Sequence, residues 1–330
     1  MENKTKKCLL CDGEAVLKYE NMKGYIDGMS FDIYECQNCL ASFVDPLKSD
    51  DKIYNYIYDQ AEKISGYMRY YRYANLVKKV KNPLAILAES ENVYWGVKQA
   101  LEENFKDKNN LKILEIGSGL GYLTYSLNQS GYSTVGVDLS QEAVSRANNK
   151  YGAFYEAGDI FKLAEDRQKK YDCVIMTEMI EHVEDPKSFI KVALSLLKDG
   201  GKLILTTPNK DASPKGIIWQ SDVPPVHLWW LSEESISKIA ESFGRKCTFV
   251  DFTKYTEKCF EYGVDSSMEQ IQSSLPRLEK DGKIVKGKEV NNFKSKILGV
   301  VLHTKISNFL RRIKHKTVSS RSSSLCAVIS

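Results

Sequence analysis

The pattern of hydrophobic and polar positions in this chain of 330 residues changes at about Leu111. After this point, short apolar runs alternate with longer stretches in which apolar residues recur at helical spacing. Such alternation predicts an α/β domain with a doubly wound, mainly parallel sheet, because each strand is followed by a helix that packs on the sheet. The predicted strands are 112–116, 134–138, 153–156, 172–177, 202–207 and 246–252, and the predicted helices are about 120–129, 141–150, 186–198 and 232–243.

Additional segments flank this core, which spans 107–257. Residues 49–106 are rich in tyrosine and lack strand-like alternation, which predicts a helical cap or linker. Its tyrosines either pack on the core or form a lid over a ligand. The apolar residues within 319–330 predict a seventh and final strand that returns to the sheet, so 258–318 becomes a helical insertion before that strand. Gly200 and Gly201 are expected to close the helix that precedes the fifth strand.

Four of the eight cysteines form two Cys-x-x-Cys pairs, Cys8 with Cys11 and Cys36 with Cys39. Two such pairs can supply the four thiolates of a tetrahedral metal site. Residues 1–48 are therefore predicted to form a zinc ribbon with a structural Zn²⁺, and unliganded thiols are the alternative. A closed four-cysteine site does not by itself indicate nucleic-acid binding.

Composition and charge restrict the function only weakly, but they single out one segment. The net charge is +4 and 42% of the residues are hydrophobic, so the balance of the whole chain requires neither a nucleic acid nor a membrane as partner. Eleven lysines and arginines lie between Lys283 and Arg321, where the single acid is Glu289. The sequence shows no apolar leader and no membrane-spanning run, so we expect a cytoplasmic protein.

A glycine-rich motif ends the first predicted strand: an acid, Glu115, is followed by Gly-x-Gly-x-Gly. Glycines let the backbone turn tightly and bring the next helix close to a ligand. Asp138 and Asp159 follow the second and third strands, where carboxylates can bind the ribose and the adenine amine of a nucleotide. Because the carboxyl ends of parallel strands meet at one sheet edge, one nucleotide crevice is predicted. Its residues are Glu115, Gly117, Ser118, Gly119, Gly121, Asp138, Leu139, Asp159, Ile160 and Thr177.

These motifs resemble those of the class I S-adenosylmethionine (SAM) methyltransferases, over about half of the chain. A dinucleotide-binding dehydrogenase would instead show Gly-x-Gly-x-x-Gly. The resemblance implies a Rossmann-like fold with an antiparallel final hairpin and SAM as the methyl donor. It also implies that Glu115 faces the sulfonium and amino-acid end of SAM, that Asp138 binds the ribose, and that Asp159 with Ile160 binds the adenine.

Candidate catalytic residues follow the fourth and fifth strands. Methyl transfer is an in-line displacement in which alignment supplies much of the acceleration, and a base is needed only if the acceptor loses a proton. Glu178, Glu181 and His182 cluster just past the fourth strand, and His227 lies in a proline-rich aromatic loop after the fifth. Each histidine is either a base or a hydrogen-bonded structural residue. Three tryptophans either line a sugar-sized pocket or pack in the core: Trp219, Trp229 and Trp230.

The acceptor is the least constrained part of this interpretation. The Glu-x-x-Glu-His arrangement of Glu178, Glu181 and His182 is similar to that of ubiquinone-pathway O-methyltransferases and of small-RNA 3′-terminal 2′-O-methyltransferases. There it helps to hold a divalent metal, so Mg²⁺ at the active site is one option. The His227 loop is more similar to bacterial methyltransferases of sugar and polysaccharide pathways. We expect O-methylation of a saccharide or related small metabolite, with RNA 2′-O-methylation and a non-catalytic binding protein as alternatives.

The basic insertion is expected at the same sheet edge as the active site, because the strand before it runs parallel to the others. A basic amphipathic helix attracts anionic lipid or RNA phosphates, unless it packs on its own domain. We expect peripheral membrane contact through 283–318, where a lipid-linked saccharide would be met, and consider nucleic acid a less favoured partner. The oligomeric state is not readable from the sequence.

Overall fold

The computed structural model describes residues 4–50, 53, 56, 67–108, 111–212, 223–258, 278–283 and 318–330. Two sheets organise these residues, one of seven strands and one of five. The strands are β1 (Thr5–Lys7), β2 (Glu14–Lys23), β3 (Ser30–Cys36), β4 (Ser42–Asp45), β5 (Lys112–Ile116), β6 (Ser133–Asp138), β7 (Tyr155–Ala157), β8 (Tyr171–Thr177), β9 (Leu197–Pro208), β10 (Trp229–Trp230), β11 (Cys247–Phe249) and β12 (Ser324–Ile329). The α-helices are α1 (Met68–Leu76), α2 (Pro83–Ser90), α3 (Asn92–Asn104), α4 (Tyr122–Gln129), α5 (Gln141–Tyr151), α6 (Ile160–Asp166), α7 (Pro186–Ser195), α8 (Glu233–Ser242) and α9 (Thr253–Lys258).

The seven-stranded sheet has the order β11-β12-β9-β8-β5-β6-β7. Strands β5 to β9 pair in parallel, and β12 pairs antiparallel with both β9 and β11. The predicted doubly wound, mainly parallel fold with an antiparallel final strand is confirmed. Because β12 reverses direction, β11 runs parallel to β9 and ends at the same sheet edge as the strands that carry the glycine-rich motif.

Several predicted boundaries are wrong by a few residues. The helix predicted to end at 198 ends at Ser195, and β9 begins at Leu197 because this residue pairs with Tyr171 before the ladder shifts its register. Gly200 and Gly201 therefore lie within β9 and do not close the helix. The strand predicted at 246–252 ends at Phe249, because Thr253 begins a helix whose first turn is held by the Asp251 carboxylate.

The five-stranded sheet has the order β1-β2-β3-β4-β10. Its first four strands come from the predicted ribbon and its fifth, β10, comes from the loop after β9. The buried residues of the ribbon and of one face of the large sheet form one continuous cluster. The ribbon is therefore packed into the core and shares a strand with it, in contrast to an appended module.

The cap helices pack on the large sheet, and the described part of the insertion pairs with the ribbon. Tyr73, Leu87 and Val97 of the cap helices pack in one buried cluster with Ile113 of β5, so the cap helices cover part of the sheet. Of the insertion, the described residues include the short segment 278–283, where Leu278 forms a parallel bridge with Ile26 of the ribbon. The amphipathic helix predicted within 283–318 lies almost wholly outside the described residues. No helix among the described ranges is long and apolar enough to cross a membrane.

Candidate active site

A cavity of about 470 Å³ lies at the edge where the parallel strands end. Nine of the ten predicted cofactor residues line it, as do all four predicted catalytic residues, Glu178, Glu181, His182 and His227. The nine are Glu115, Gly117, Ser118, Gly119, Asp138, Leu139, Asp159, Ile160 and Thr177. Residues from five separate strand ends and loops thus meet in one crevice, as the parallel topology requires.

The loop after β5 is shaped around the Asp138 carboxylate. The Gly119 N–H donates to Asp138 Oδ2 at 2.8 Å, and the Ser140 N–H donates to Oδ1 at 2.9 Å. Gly117 and Gly119 have φ values of 77° and 50°, which glycine adopts without steric penalty. Ser118 Oγ is buried and has no hydrogen-bond partner among the described residues. A buried hydroxyl of this kind suits a polar ligand, since an unpaired buried hydroxyl is costly.

Gly121 is the one predicted cofactor residue that does not line the cavity. Its φ of 78° requires glycine at the start of α4. A Cβ at this position would lie 2.8 Å from both Ala147 Cβ and Tyr155 Cε1. Gly121 is therefore needed for close packing of the helix against its neighbours.

The Glu115 carboxyl group lies at the floor of the cavity and is 2% exposed. Burial raises the pKa of Glu115 to about 8, although a hydrogen bond from the Thr124 hydroxyl opposes this shift. A cation placed beside this carboxylate would favour its ionised form. The site thus fits the cationic methionyl end of SAM.

The part of the cavity near β6 and β7 has an apolar flank. The Leu139 side chain is 79% exposed and borders the cavity beside Ile160. Asp159 accepts a hydrogen bond from the Phe161 N–H at 2.9 Å and caps α6. Two apolar side chains and a fixed carboxylate suit the adenine ring and its amine.

His182 is held in one tautomer by the backbone. Its Nδ1 lies 2.6 Å from the Val226 carbonyl oxygen, and because a carbonyl oxygen accepts only, Nδ1 must donate. In the neutral ring Nε2 then carries the lone pair, and it lies 3.7 Å from Glu181 Oε1. The structure thus presents an oriented basic nitrogen to the cavity.

His227 and Glu181 are brought next to His182. The two imidazole rings meet edge to face with their centroids 4.7 Å apart. The pKa of His227 lies well below its usual value, mainly because the ring is buried and to a lesser extent because His182 is close. His227 is therefore neutral at neutral pH. Glu181 is 1% exposed, and its Oε2 accepts a hydrogen bond from Thr207 Oγ1 at 2.9 Å. The ligand atoms of Glu181, His182 and His227 lie within 4.8 Å of one another, close enough for one metal ion.

Glu178 lines the same cavity but is not a member of this three-residue group. Its backbone has a φ of 47°, and its N–H donates to the Thr206 carbonyl oxygen at 3.1 Å. Burial and the nearby charge of Glu181 raise the pKa of Glu178 well above its usual range. Within the described residues its Oε1 has no hydrogen-bond partner. A cation or hydrogen-bond donor that entered the cavity would favour the ionised form of Glu178.

The wall opposite the strand ends was not predicted from the sequence. Arg69 of α1 forms an ion pair with Glu91, and both residues line the cavity with Tyr70 and Tyr94. The Arg69 guanidinium lies 4.4 Å from the centre of the Tyr70 ring. The tyrosine density of 49–106 was the only available signal. Tyr73 packs in the core, as the first of the two predicted alternatives states, and Tyr70 lines the cavity, while a lid over a ligand stays a prediction.

Two of the candidate pocket tryptophans pack in the core. Trp229 is 0% and Trp230 is 9% exposed, and neither lines the cavity. Their burial follows from β10, whose pairing with β4 places them in the ribbon sheet. Trp219 lies outside the described residues.

The four paired cysteines form a compact cluster at one end of the ribbon. Cys8 Sγ lies 3.7 Å from Cys39 Sγ, and Cys11 Sγ lies 3.5 Å from Cys36 Sγ. Sulfurs bound at about 2.3 Å to one tetrahedral zinc ion would be about 3.8 Å apart, so the observed spacing fits. The hydrogen bond between the Cys8 and Cys39 thiols lowers the pKa of Cys8 and raises that of Cys39, so the two sulfurs share one proton until a cation replaces it.

Comparison with known proteins agrees with this geometry. Residues 91–248 match the family model of a methyltransferase domain. The human mitochondrial ubiquinone biosynthesis O-methyltransferase is 30% identical over 152 residues, which cover 41% of this chain and 41% of that protein. The ubiquinone biosynthesis O-methyltransferase of Coxiella burnetii is 35% identical over 104 residues, which cover 30% of this chain and 44% of that protein. The chain therefore spans less than half of the length of these two relatives.

Solved structures give a weaker likeness. A SAM-dependent methyltransferase from Archaeoglobus fulgidus shares 16% identity and covers 71% of this chain and 92% of its own, with a TM-score of 0.42. The family model, together with the sheet order and the nucleotide crevice, defines the class: residues 91–248 form a class I SAM-dependent methyltransferase domain. The two curated relatives named above are ubiquinone biosynthesis O-methyltransferases.

Proposed function

We propose that the protein transfers a methyl group from SAM to a hydroxyl group of a saccharide or related small metabolite. The observation that carries the proposal is the presence of an oriented basic histidine in the cavity that the nucleotide-binding residues line. The O-methyltransferase relatives support a hydroxyl acceptor. The similarity of the His227 loop to saccharide-pathway methyltransferases favours a sugar.

His182 is the proposed general base. As the acceptor oxygen attacks the methyl carbon, the O–C bond forms, the S–C bond breaks and S-adenosylhomocysteine leaves. The acceptor proton passes to His182 Nε2, while Nδ1–H remains bound to Val226. Glu181 Oε1, 3.7 Å away, stabilises the imidazolium that results. His227 is neutral and buried, so it shapes the site and leaves the net charge unchanged.

A metal-assisted variant of this reaction rests on Glu181, His182 and His227. One carboxylate and two imidazoles are a donor set that suits Mn²⁺ or Zn²⁺ better than Mg²⁺, which prefers oxygen ligands. A bound divalent cation would lower the pKa of the acceptor hydroxyl. Activity after chelation, followed by readdition of Mg²⁺, Mn²⁺ or Zn²⁺ in turn, separates this variant from direct base catalysis.

Two further proposals concern the periphery. We propose that the ribbon cysteines bind one structural Zn²⁺, which metal analysis of the purified protein tests. We also propose that the basic residues within 283–318 bring the enzyme to anionic membranes. Flotation with anionic liposomes should require these residues, and equal flotation of the full chain and of a chain lacking 283–318 would refute this.

The decisive experiment is transfer of tritiated methyl groups from SAM into fractionated cell extract, with His182→Gln as control. We expect label in a small saccharide fraction that is lost with the variant. Label in RNA, with binding that weakens steeply as salt rises, would favour RNA 2′-O-methylation. A domain that binds SAM but labels no fraction would support a non-catalytic binding protein.

A further inference from the structure

The ribbon is joined by hydrogen bonds to the loop that carries His227. In the pairing of β4 with β10, Phe43 lies opposite Trp229. The Val44 N–H donates to the Leu228 carbonyl oxygen at 3.1 Å, one residue from His227. Upstream, the Tyr25 N–H donates to the Pro224 carbonyl oxygen at 2.7 Å. The ribbon thus holds both ends of the segment that contains His227.

The same loop is bound on its other side to the segment that carries Glu181 and His182. The Leu228 N–H donates to the Glu181 carbonyl oxygen at 2.8 Å, and Trp229 Nε1–H donates to the Val183 carbonyl oxygen at 3.0 Å. The bond from His182 Nδ1 to Val226 belongs to this set. The loop therefore lies between the ribbon and the catalytic segment, and its position determines the orientation of His182.

The turn that leads into β4 carries two of the four clustered cysteines. The Cys36 N–H donates to the Ala41 carbonyl oxygen at 2.9 Å, which closes the turn that contains Cys39. Strand β4 begins at the next residue, Ser42. A metal bound at Cys36 and Cys39 would therefore fix the start of β4, because its ligands belong to this turn.

We propose that the ribbon is a positioning element for methyl transfer and that Phe43 is its main positioning residue. The Phe43 ring is buried against Trp229, with centroids 5.3 Å apart. This proposal rests on the proposed function and adds to it a dependence of the His182–His227 geometry on the metal-bound ribbon. The cofactor residues of β5, β6 and β7 belong to the other sheet, so SAM binding is not expected to share this dependence.

The test compares zinc-loaded protein, zinc-stripped protein and the variant Phe43→Leu. Hydrogen–deuterium exchange of peptides covering 223–231 should become at least about tenfold faster in the last two, because the bonds that hold the loop loosen. The kcat should fall about tenfold for Phe43→Leu, while the Kd for SAM stays within about twofold.

Leu17→Ala is the matched control. Leu17 is a half-buried residue of β2 whose strand partner is Tyr34, so its truncation disturbs the ribbon without removing the ring that packs on Trp229 or the bond from Tyr25 to Pro224. Trp229→Phe is a second variant that removes the bond to Val183 and keeps an aromatic ring. It should reproduce the effect of Phe43→Leu, and zinc content is measured for every variant.

Unchanged exchange in 223–231 after zinc removal would overturn the proposal. Equal losses of kcat in Phe43→Leu and Leu17→Ala would overturn it as well, since they would indicate a general loss of stability. Exchange and SAM binding require no acceptor. If the protein fails to methylate any fraction, the proposed function fails while the link between ribbon and loop is still measured.

Discussion

The two halves of the cavity are built in different ways. The cofactor half uses a short continuous motif and the ends of adjacent parallel strands, so its groups are fixed by their own strands and by bonds between neighbouring turns, such as that from the Gly119 N–H to Asp138. The acceptor half is assembled from the segment around Glu181, the His227 loop, the ribbon and the cap. The difference implies that the first half tolerates change elsewhere in the molecule, whereas the second depends on contacts made over long sequence separations.

The largest expected effect is a loss of catalysis in the acceptor half that leaves the cofactor half unchanged. His182→Gln should lower kcat about 1,000-fold, because general-base catalysis contributes about 10²- to 10⁴-fold, and should leave the Kd for SAM unchanged. Steady-state kinetics and calorimetric titration measure the two quantities. If kcat at saturating SAM is retained, His182 is not the base and the acceptor half has been misassigned.

Asp138→Ala should have the converse effect. Loss of a charged acceptor for the ribose hydroxyls is expected to weaken SAM binding about 100-fold, at about 1.5–3 kcal/mol per charged hydrogen bond. Glu142→Ala, an exposed acid of the following helix, is the control and should leave the Kd unaltered. An equal Kd for wild type and Asp138→Ala would remove the basis for the cofactor assignment.

Gly121→Ala and Gly119→Ala divide the glycine motif into packing and ligand roles. Gly121→Ala should destabilise the fold by roughly 2 kcal/mol, from a left-handed φ and contacts of 2.8 Å. A Cβ added at Gly119 would meet no atom within 4 Å, so Gly119→Ala should lower the folding stability less than Gly121→Ala does. It should weaken SAM binding more than Gly121→Ala does. Denaturant unfolding and titration distinguish the two, and a reversal of this order would contradict the packing role of Gly121.

The most gradual effect is a dependence on pH. In the free protein Glu115, with its pKa raised to about 8, is mostly protonated at pH 7 and binds a proton that the unfolded chain has already lost. Its contribution to folding stability therefore falls as pH rises from about 4.5 to about 8. SAM, being cationic, favours the ionised form, so its affinity should increase by up to about tenfold per pH unit below about 8.

Titrations of SAM in buffers of different ionisation enthalpy report the protons released on binding. Glu115→Gln should abolish the release while keeping the size of the side chain. A wild-type protein that releases no proton near pH 7 would show that Glu115 does not face the cationic end of SAM.

What the sequence predicted follows the same division. Strand β5, the Asp138 position and the antiparallel final strand are local patterns or follow from a resemblance that depends on local motifs. Strand β10 escaped prediction because two tryptophans become a strand only when β4 of the ribbon pairs with them. The ion pair between Arg69 and Glu91 was not predicted for a similar reason. Neither residue belongs to a recognisable motif, and the contact between them depends on how the helices pack.

The insertion joins the core at a position that can accept segments of different length. Its two ends are joined, because Thr256 Oγ1 donates to the Ser319 carbonyl oxygen at 2.9 Å and the Phe252 N–H donates to the Ser320 carbonyl oxygen at 2.9 Å. A loop whose ends already meet can change length with a loop-closure cost that grows only logarithmically. The core can therefore carry insertions of different length and charge at this position without a change in the sheet.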